Sequence, residues 1–280
     1  MRIVSWNIQW GRGADGVIAL PRTIAALQAL DADVICLQEV SVNFPGLKGG
    51  HTGDQVAVLS SAFPGYQIAY GPCVDLCGAG AGVSFGNMVL ARIPVLQVWR
   101  HLLPWPADES APAMQRGCVE VLVDAAGVPL RVLTTHLEYY SATVRLAQAK
   151  ALVRLQQEAC ALDRTPPAGK RDGGPFAPRP RPSSAVLCGD FNCKPDEPAY
   201  LAVQAAEGGE PWCDAWRAQA NGVAHVPTVG LKGAEWPPAP YCCDYFFVSR
   251  DLVPSVRSLV VETDTAASDH QPLLLELGLV

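Results

Sequence analysis

Nothing in this 280-residue sequence approaches the roughly 18 consecutive apolar residues of a membrane-spanning helix. The opening, MRIVSWNIQW, is too short and turns polar too soon after Val4 to be a secretory leader. A cytoplasmic location with no transmembrane segment is the expectation. Charge is also scarce: 17% of residues are charged and the net charge is −6, so the chain lacks the basic excess that a broad duplex-binding face draws on. Missing too are the signatures of several large enzyme classes. There is no G-x-x-x-x-G-K-[ST] and no G-x-G-x-x-G opening a helix, which disfavours P-loop and dinucleotide-binding enzymes. The Gly-rich GAGAGVSFG (78–86) leads towards a strand and reads as a loop. No G-x-S-x-G occurs, and Ser268-Asp269-His270, being sequence neighbours, do not make a catalytic triad. The cysteines are ten, but neither Cys73 with Cys77 nor Cys242 with Cys243 is followed by a second pair at zinc-site spacing. Cys36, Cys118 and Cys188 sit in apolar strand-like runs, as buried reduced thiols do.

What is present suits a large core: 49% hydrophobic residues, with 25 Gly and 24 Pro to punctuate them. One domain over 1–280 is the expectation. RIVSWNI (2–8) alternates like a strand, a helical period follows near 18–30, and ADVICLQEV (32–40) reads as a buried strand, giving a β-α-β opening. A helix is expected at 54–63, strands at 66–70, 85–91 and 94–100, a hairpin across 117–137, and the longest helix at 141–163. Strands return at 185–189, 242–249, 256–261 and 272–277. Between them, 164–184 holds six prolines, five basic residues and one acid, and reads as an exposed loop. Strands outnumber helices without strict β-α alternation, which favours mixed or antiparallel sheets with helices packed outside.

Apolar strands repeatedly end in polar or ionisable groups. Asn7 follows IVSW, Glu39 ends DVICLQ, His136 ends VLTT, Asp190 and Asn192 follow VLCG, Asp244 opens DYFFVS, and Asp269 and His270 precede QPLLLEL. Singly, each is most simply a turn or cap residue. Together, if the strand ends meet, they make a phosphoester-cleaving set. Glu39 and Asp269 are hard oxygen ligands suited to Mg²⁺ or Mn²⁺. Along an extended strand Asp190 and Asn192 would share one face. There Asp190 could take a proton from an attacking water that Asn192 orients. A protonated His270, held by Asp244, would help neutralise phosphate charge.

These segments resemble the endonuclease/exonuclease/phosphatase superfamily, which spans DNase I-like nucleases, exonuclease III-like enzymes, inositol polyphosphate phosphatases and neutral sphingomyelinases. The resemblance rests on SWNIQ (5–9), LQEV (37–40), GNMVLAR (86–92), TTHLEY (134–139), GDFNCKP (189–195), DYFFVS (244–249) and SDHQPL (268–273), in family order along essentially the whole chain. It implies an α/β (α+β) fold, a four-layer αββα sandwich of two mixed, mainly antiparallel sheets, DNase I-like, with the site between the sheet ends. It implies Glu39 as main metal ligand with Asn7 and Asp269 nearby, Asp190 and Asn192 positioning the water, and His270 paired with Asp244 at the scissile phosphate. His136 stands where DNase I-like and phosphatase-like members carry a histidine and exonuclease III-like members do not. Asn87 and Arg116 are weaker candidates for a substrate phosphate.

The expected activity is hydrolysis of a phosphoester by direct attack of an activated water. The acidic balance favours a small-molecule or lipid-head-group ester, with DNA or RNA cleavage as the alternative and a non-catalytic binding protein on the same fold behind both. No protein partner is inferred.

Overall fold

The computed structural model describes residues 1–77, 82–170, 173–205, 211–219 and 222–279. In chain order it forms β1 (Arg2–Asn7), α1 (Leu20–Leu30), β2 (Val34–Val42), α2 (Gln55–Ala62), β3 (Gln67–Leu76), β4 (Val83–Ala91), β5 (Val95–Leu102), β6 (Gly117–Ala125), β7 (Val128–His136), α3 (Ala142–Arg164), β8 (Ala185–Asp190), α4 (Pro198–Val203), β9 (Cys213–Asp214), α5 (Ala215–Gln219), β10 (Asp244–Val248), β11 (Val256–Val261) and β12 (Leu273–Leu277). The strands make two six-stranded sheets, β11-β12-β1-β2-β4-β3 and β5-β6-β7-β8-β10-β9. Each holds one parallel pair, β1 with β2 and β7 with β8. Parallel neighbours need a crossover, which α1 and α3 supply.

Side-chain alternation sorts the strands into layers. In β1, Ile3 enters the core between the sheets, whereas Val4 and Trp6 pack outward with Leu27 of α1 and Leu59 of α2. In β8, Val186 and Cys188 face the other sheet, while Ala185 and Leu187 meet Leu152 of α3 and Tyr200 of α4. Three apolar clusters therefore fill three interlayer spaces, which is the four-layer sandwich expected. Cys36, Cys118 and Cys188 are buried, and none of the ten cysteines, all of them described, is in a disulfide.

The differences from expectation have local causes. β3, expected at 66–70, continues to Leu76, and β4 begins at Val83, so residues 83–86 of the Gly-rich stretch that reads as a loop are strand; residues 78–81 lie outside the described residues. The short α4, α5 and β9 carry too few periods to show in a sequence pattern. After Arg164, which closes α3, the proline-rich stretch has neither helix nor strand among its described residues, 171 and 172 lying outside them. It is nonetheless tied down: the Arg181 guanidinium lies over the Trp99 ring at 5.3 Å and 3.6 Å from Glu120. Glu120 is fully buried on β6, where it also accepts from Arg131 Nε at 2.6 Å and faces His101 Nε2 at 2.8 Å.

Candidate active site

The expected residues come from both sheets, and strand register brings them together. His136 lies opposite Asp190 across β7 and β8, and Asp244 lies opposite Asp190 across β10 and β8. All three have the parity of the inter-sheet core residues on their strands. From the other sheet, Asn7 at the end of β1 reaches across, its Nδ2 donating to Asp190 Oδ2 at 3.0 Å and Glu39 Oε1 at 3.1 Å.

Glu39 arrives by a different route. Ile35 and Leu37 pack towards the helices, so simple alternation would send Glu39 the same way. Instead the β2–β4 register slips between Leu37 and Val40, and Glu39 takes φ 60°. This one-residue bulge re-aims the carboxylate into the space between the sheets. Asn192 is a second exception. β8 ends at Asp190 and Asn192 sits at φ 50°, so the two do not share a strand face as alternation suggests. The Asn192 backbone N–H donates to Asp190 Oδ1 at 2.9 Å, while its side-chain Nδ2 is directed at His136 Nε2 (2.9 Å) and Leu137 O (3.0 Å). It therefore positions the acid and the histidine. Non-glycine residues at positive φ persist where surrounding contacts over-determine them, often at functional sites.

Gly189, between Cys188 and Asp190, has φ 141°, and a Cβ there would stand 1.9 Å from the Thr135 carbonyl oxygen. The close approach of β7 and β8 beside the site depends on its missing side chain.

The two histidines are set to different charge states. His270 Nδ1 lies 2.9 Å from Asp244 Oδ2 and its Nε2 3.7 Å from Asp190 Oδ2. Burial alone would lower its pKa, but the Asp244 and Asp190 carboxylates outweigh it and hold His270 well above the ordinary histidine value. Thr228 Oγ1 donates to the same Asp244 oxygen at 2.6 Å, and Trp6 Nε1 donates to the His270 carbonyl at 3.0 Å. His136 is pushed down to about 3, first by burial and then by the Arg116 charge, so it stays neutral and its Nε2 accepts from Asn192. Arg116 is itself buried, with Nε 3.5 Å from Glu138 Oε2. It is not a surface strand charge. Asn87 is also buried and donates through Nδ2 to the Gly117 carbonyl at 3.0 Å, joining β4 to the start of β6. Its amide nitrogen is thus engaged in joining the sheets.

Glu39 shows what the site can hold. Its pKa is raised to about 7, chiefly by burial and then by the negative charge of Asp269, with Asn7 opposing. Its Oε2 is buried and has no hydrogen-bond partner. Asp269 is likewise raised by burial, its Oδ2 accepting from Gln9 Nε2 at 2.7 Å. Crowded oxygen donors with an orphaned lone pair are what a hard divalent cation would satisfy, so the residues fit Mg²⁺ or Mn²⁺. A second grouping, Asp190, Cys243, Asp244 and His270, has ligand atoms within 4.8 Å of one another. There, however, His270 and Thr228 already satisfy Asp244, and burial raises the Cys243 thiol well above its ordinary value, which favours a proton network over an ion.

Several contributors escape a sequence reading. Gln9, Glu138 and Thr228 are ordinary polar residues whose importance lies in their partners. Gln38, whose Nε2 donates to Thr134 Oγ1 at 2.8 Å across the sheets, gives no signal beyond its place next to Glu39.

Two sheets face to face with helices outside and this polar cluster between strand ends define a DNase I-like αββα protein. The family model described as Endonuclease/Exonuclease/phosphatase family matches residues 4–270, and the chain belongs to that family of phosphoester hydrolases. Similar solved structures include an endonuclease/exonuclease/phosphatase from Beutenbergia cavernae, with TM-score 0.67 and 26% identity over 99% of this chain and 72% of that one. A mannosyl-6-phosphatase from Bacteroides thetaiotaomicron has TM-score 0.67 and 18% identity, with 100% of both chains covered. The human Nocturnin catalytic domain with bound sulfate has TM-score 0.63 and 18% identity over 100% of this chain and 94% of that one. At such identities the last two likenesses speak for the fold. No curated protein matches the sequence. Among the described residues no helix is long and apolar enough to cross a membrane.

Proposed function

We propose that the whole chain, 1–280, acts as one catalytic unit, a Mg²⁺- or Mn²⁺-dependent hydrolase of small-molecule phosphoesters that works by direct attack of water. The observation that carries this is the Asp190 carboxylate, clamped by the Asn7 amide and the Asn192 backbone N–H between a cationic His270 and a neutral His136. Fixing a base in this way lowers the cost of reorganisation when it takes a proton.

Asp190 Oδ2 accepts the proton of the attacking water. His270, charged and oriented by Asp244, donates through Nε2 to a non-bridging phosphate oxygen, and Arg116, whose charge acts on His136, adds to the positive potential. Neutral His136 stands ready to hydrogen-bond the phosphoryl group, with Asn192 fixing its ring. Glu39, flanked by Asn7 and Asp269, would hold the divalent cation, which when bound supplies charge neutralisation at the phosphate.

The small-molecule preference rests on the net charge of −6, too acidic to advertise a polynucleotide track. The test is hydrolysis of bis-p-nitrophenyl phosphate and p-nitrophenyl phosphate with Mg²⁺, Mn²⁺ or EDTA, beside plasmid nicking. Metal-dependent turnover that vanishes in Asp190→Ala is expected. Silence on every ester with metal present would point to the non-catalytic alternative, and efficient nicking to a nuclease.

A further inference from the structure

The segment from Gly230 to Pro240 leaves the site and returns to it. At its root, Val229 bridges to both Tyr241 and His270, and the Gly230 N–H donates to the Asp269 carbonyl at 3.0 Å. At its tip, Glu235 is tied to the segments that follow β1 and β2: Arg12 Nη2 at 2.9 Å and Lys48 Nζ at 2.6 Å. Arg12 Nη1 lies 3.5 Å from Gln9 Oε1, and Gln9 holds Asp269, so the anchor of the tip connects to the candidate metal ligands.

This double attachment places the next residue, Trp236, against the opposite wall. Its ring meets Tyr139 edge-on at 6.5 Å and 84°, and Tyr139 meets Tyr140 at 4.7 Å and 86°. Tyr139 follows His136 by three residues and lies within electrostatic reach of Asp190, which with burial and Tyr140 raises its phenol pKa. The rings are not spent on packing: Trp236 is 51% and Tyr140 63% exposed. Trp212, by contrast, is 1% exposed and belongs to the core. Two ring planes at right angles form a corner that offers a face to stack on and an edge to abut.

We propose that Trp236, Tyr139 and Tyr140 form a substrate subsite for a planar aromatic ring, so that the preferred ester joins its phosphate to a nucleoside or aryl group. Apart from the Tyr139 and Tyr140 phenols, the residues around Trp236 favour an aromatic ring over a sugar face. Ala234, Pro237, Pro238, Ala239 and Pro240 carry no side-chain donors or acceptors for hydroxyls, and Glu235 is engaged by its two cations. A pyranose would need several such groups.

This inference rests on the proposed phosphoesterase reading, and its test separates the two. Isothermal titration calorimetry in the Asp190→Ala background with Mn²⁺ compares adenosine 5′-monophosphate, mannose 6-phosphate and inorganic phosphate without turnover. The nucleotide is expected to bind about tenfold more tightly than either, as a single stacked base does. Adding Trp236→Ala should erase that preference and leave phosphate affinity unchanged; because Trp236 is half exposed, the fold should tolerate the change. Glu235→Gln, which loosens the tip, should reduce the preference in the same direction. Equal binding of all three ligands, mannose 6-phosphate matching the nucleotide, or a preference that survives Trp236→Ala would each overturn the subsite. Loss of hydrolysis in the wild type with the Trp236-dependent preference intact would remove the catalytic reading and support the subsite.

Discussion

Replacing Glu39 by Gln should make the metal-free protein more stable. In the folded chain the Glu39 pKa rises from 4.5 to about 7, so above pH 7 folding must carry an already ionised carboxylate into a setting that disfavours the anion. That difference corresponds to about 3 kcal/mol. The side chain is only 16% exposed, so solvent screening takes little of it away. The sign follows from proton uptake: the folded state holds the proton more tightly, so the penalty is absent below about pH 4.5 and complete above about pH 7. Glutamine keeps the shape without the charge and should escape the penalty. Urea unfolding in EDTA measures this: the Glu39→Gln midpoint should exceed the wild type at pH 8, and the gap should close towards pH 4.5. Divalent metal should reverse the order. At roughly 1,000 times its Kd a bound ion stabilises by about 4 kcal/mol, a gain open to the wild type and denied to the variant. A lower midpoint for Glu39→Gln at pH 8 without metal, or a gap independent of pH, would refute the reasoning.

Other outcomes follow from the same geometry. Asp190→Ala should remove turnover, by about 10²-fold or more, while changing metal affinity far less than Glu39→Ala; calorimetric metal titration of both separates a base from a ligand. Gly189→Ala should destabilise by more than about 1 kcal/mol, since its Cβ would press on the Thr135 carbonyl; thermal unfolding reports it, and an unchanged Tm would contradict the close approach of β7 and β8. Arg131→Met should cost about 3–5 kcal/mol by stranding Glu120, with part of the loss recovered in Arg131→Met/Glu120→Leu. The Glu120 pKa is lowered because His101 and Arg131 outweigh burial. Its contribution should therefore be present at neutral pH and lost as pH falls through the acidic range, which acid-unfolding curves of wild type and Glu120→Gln would show.

The layer architecture could be read because period-two strands such as β1 and β8 and a long helix such as α3 repeat their pattern often enough to stand above noise. The strand-end inventory was legible for a related reason: a polar residue closing an apolar run breaks a pattern, and register then gathers those residues without further help, as with His136, Asp190 and Asp244. What failed were places where backbone leaves the period. Glu39 needs a bulge and Asn192 a left-handed turn, and neither Gln nor Phe before them announces one. Asn192 was accordingly expected beside Asp190 on a strand face, whereas its side chain serves His136. Arg116 could not be distinguished from a surface charge because its partner, Glu138, lies 22 residues away on a different segment. Trp236 could be read from sequence as a ring to stack on a base or sugar, with packing the simpler reading, and nothing there chooses between the two until Tyr139 is seen to face it.

The bulge at Glu39 amounts to a frameshift written inside a strand. Upstream of it, β2 keeps the parity of an ordinary sheet; downstream, Val40 rejoins the helix-facing layer one count late. Deleting that single residue would heal the ladder, restoring unbroken pairing between β2 and β4 while erasing the carboxylate. The architecture is therefore easier to inherit than the chemistry: a chain one residue shorter could keep every layer of the sandwich and lose the carboxylate proposed as its main cation ligand.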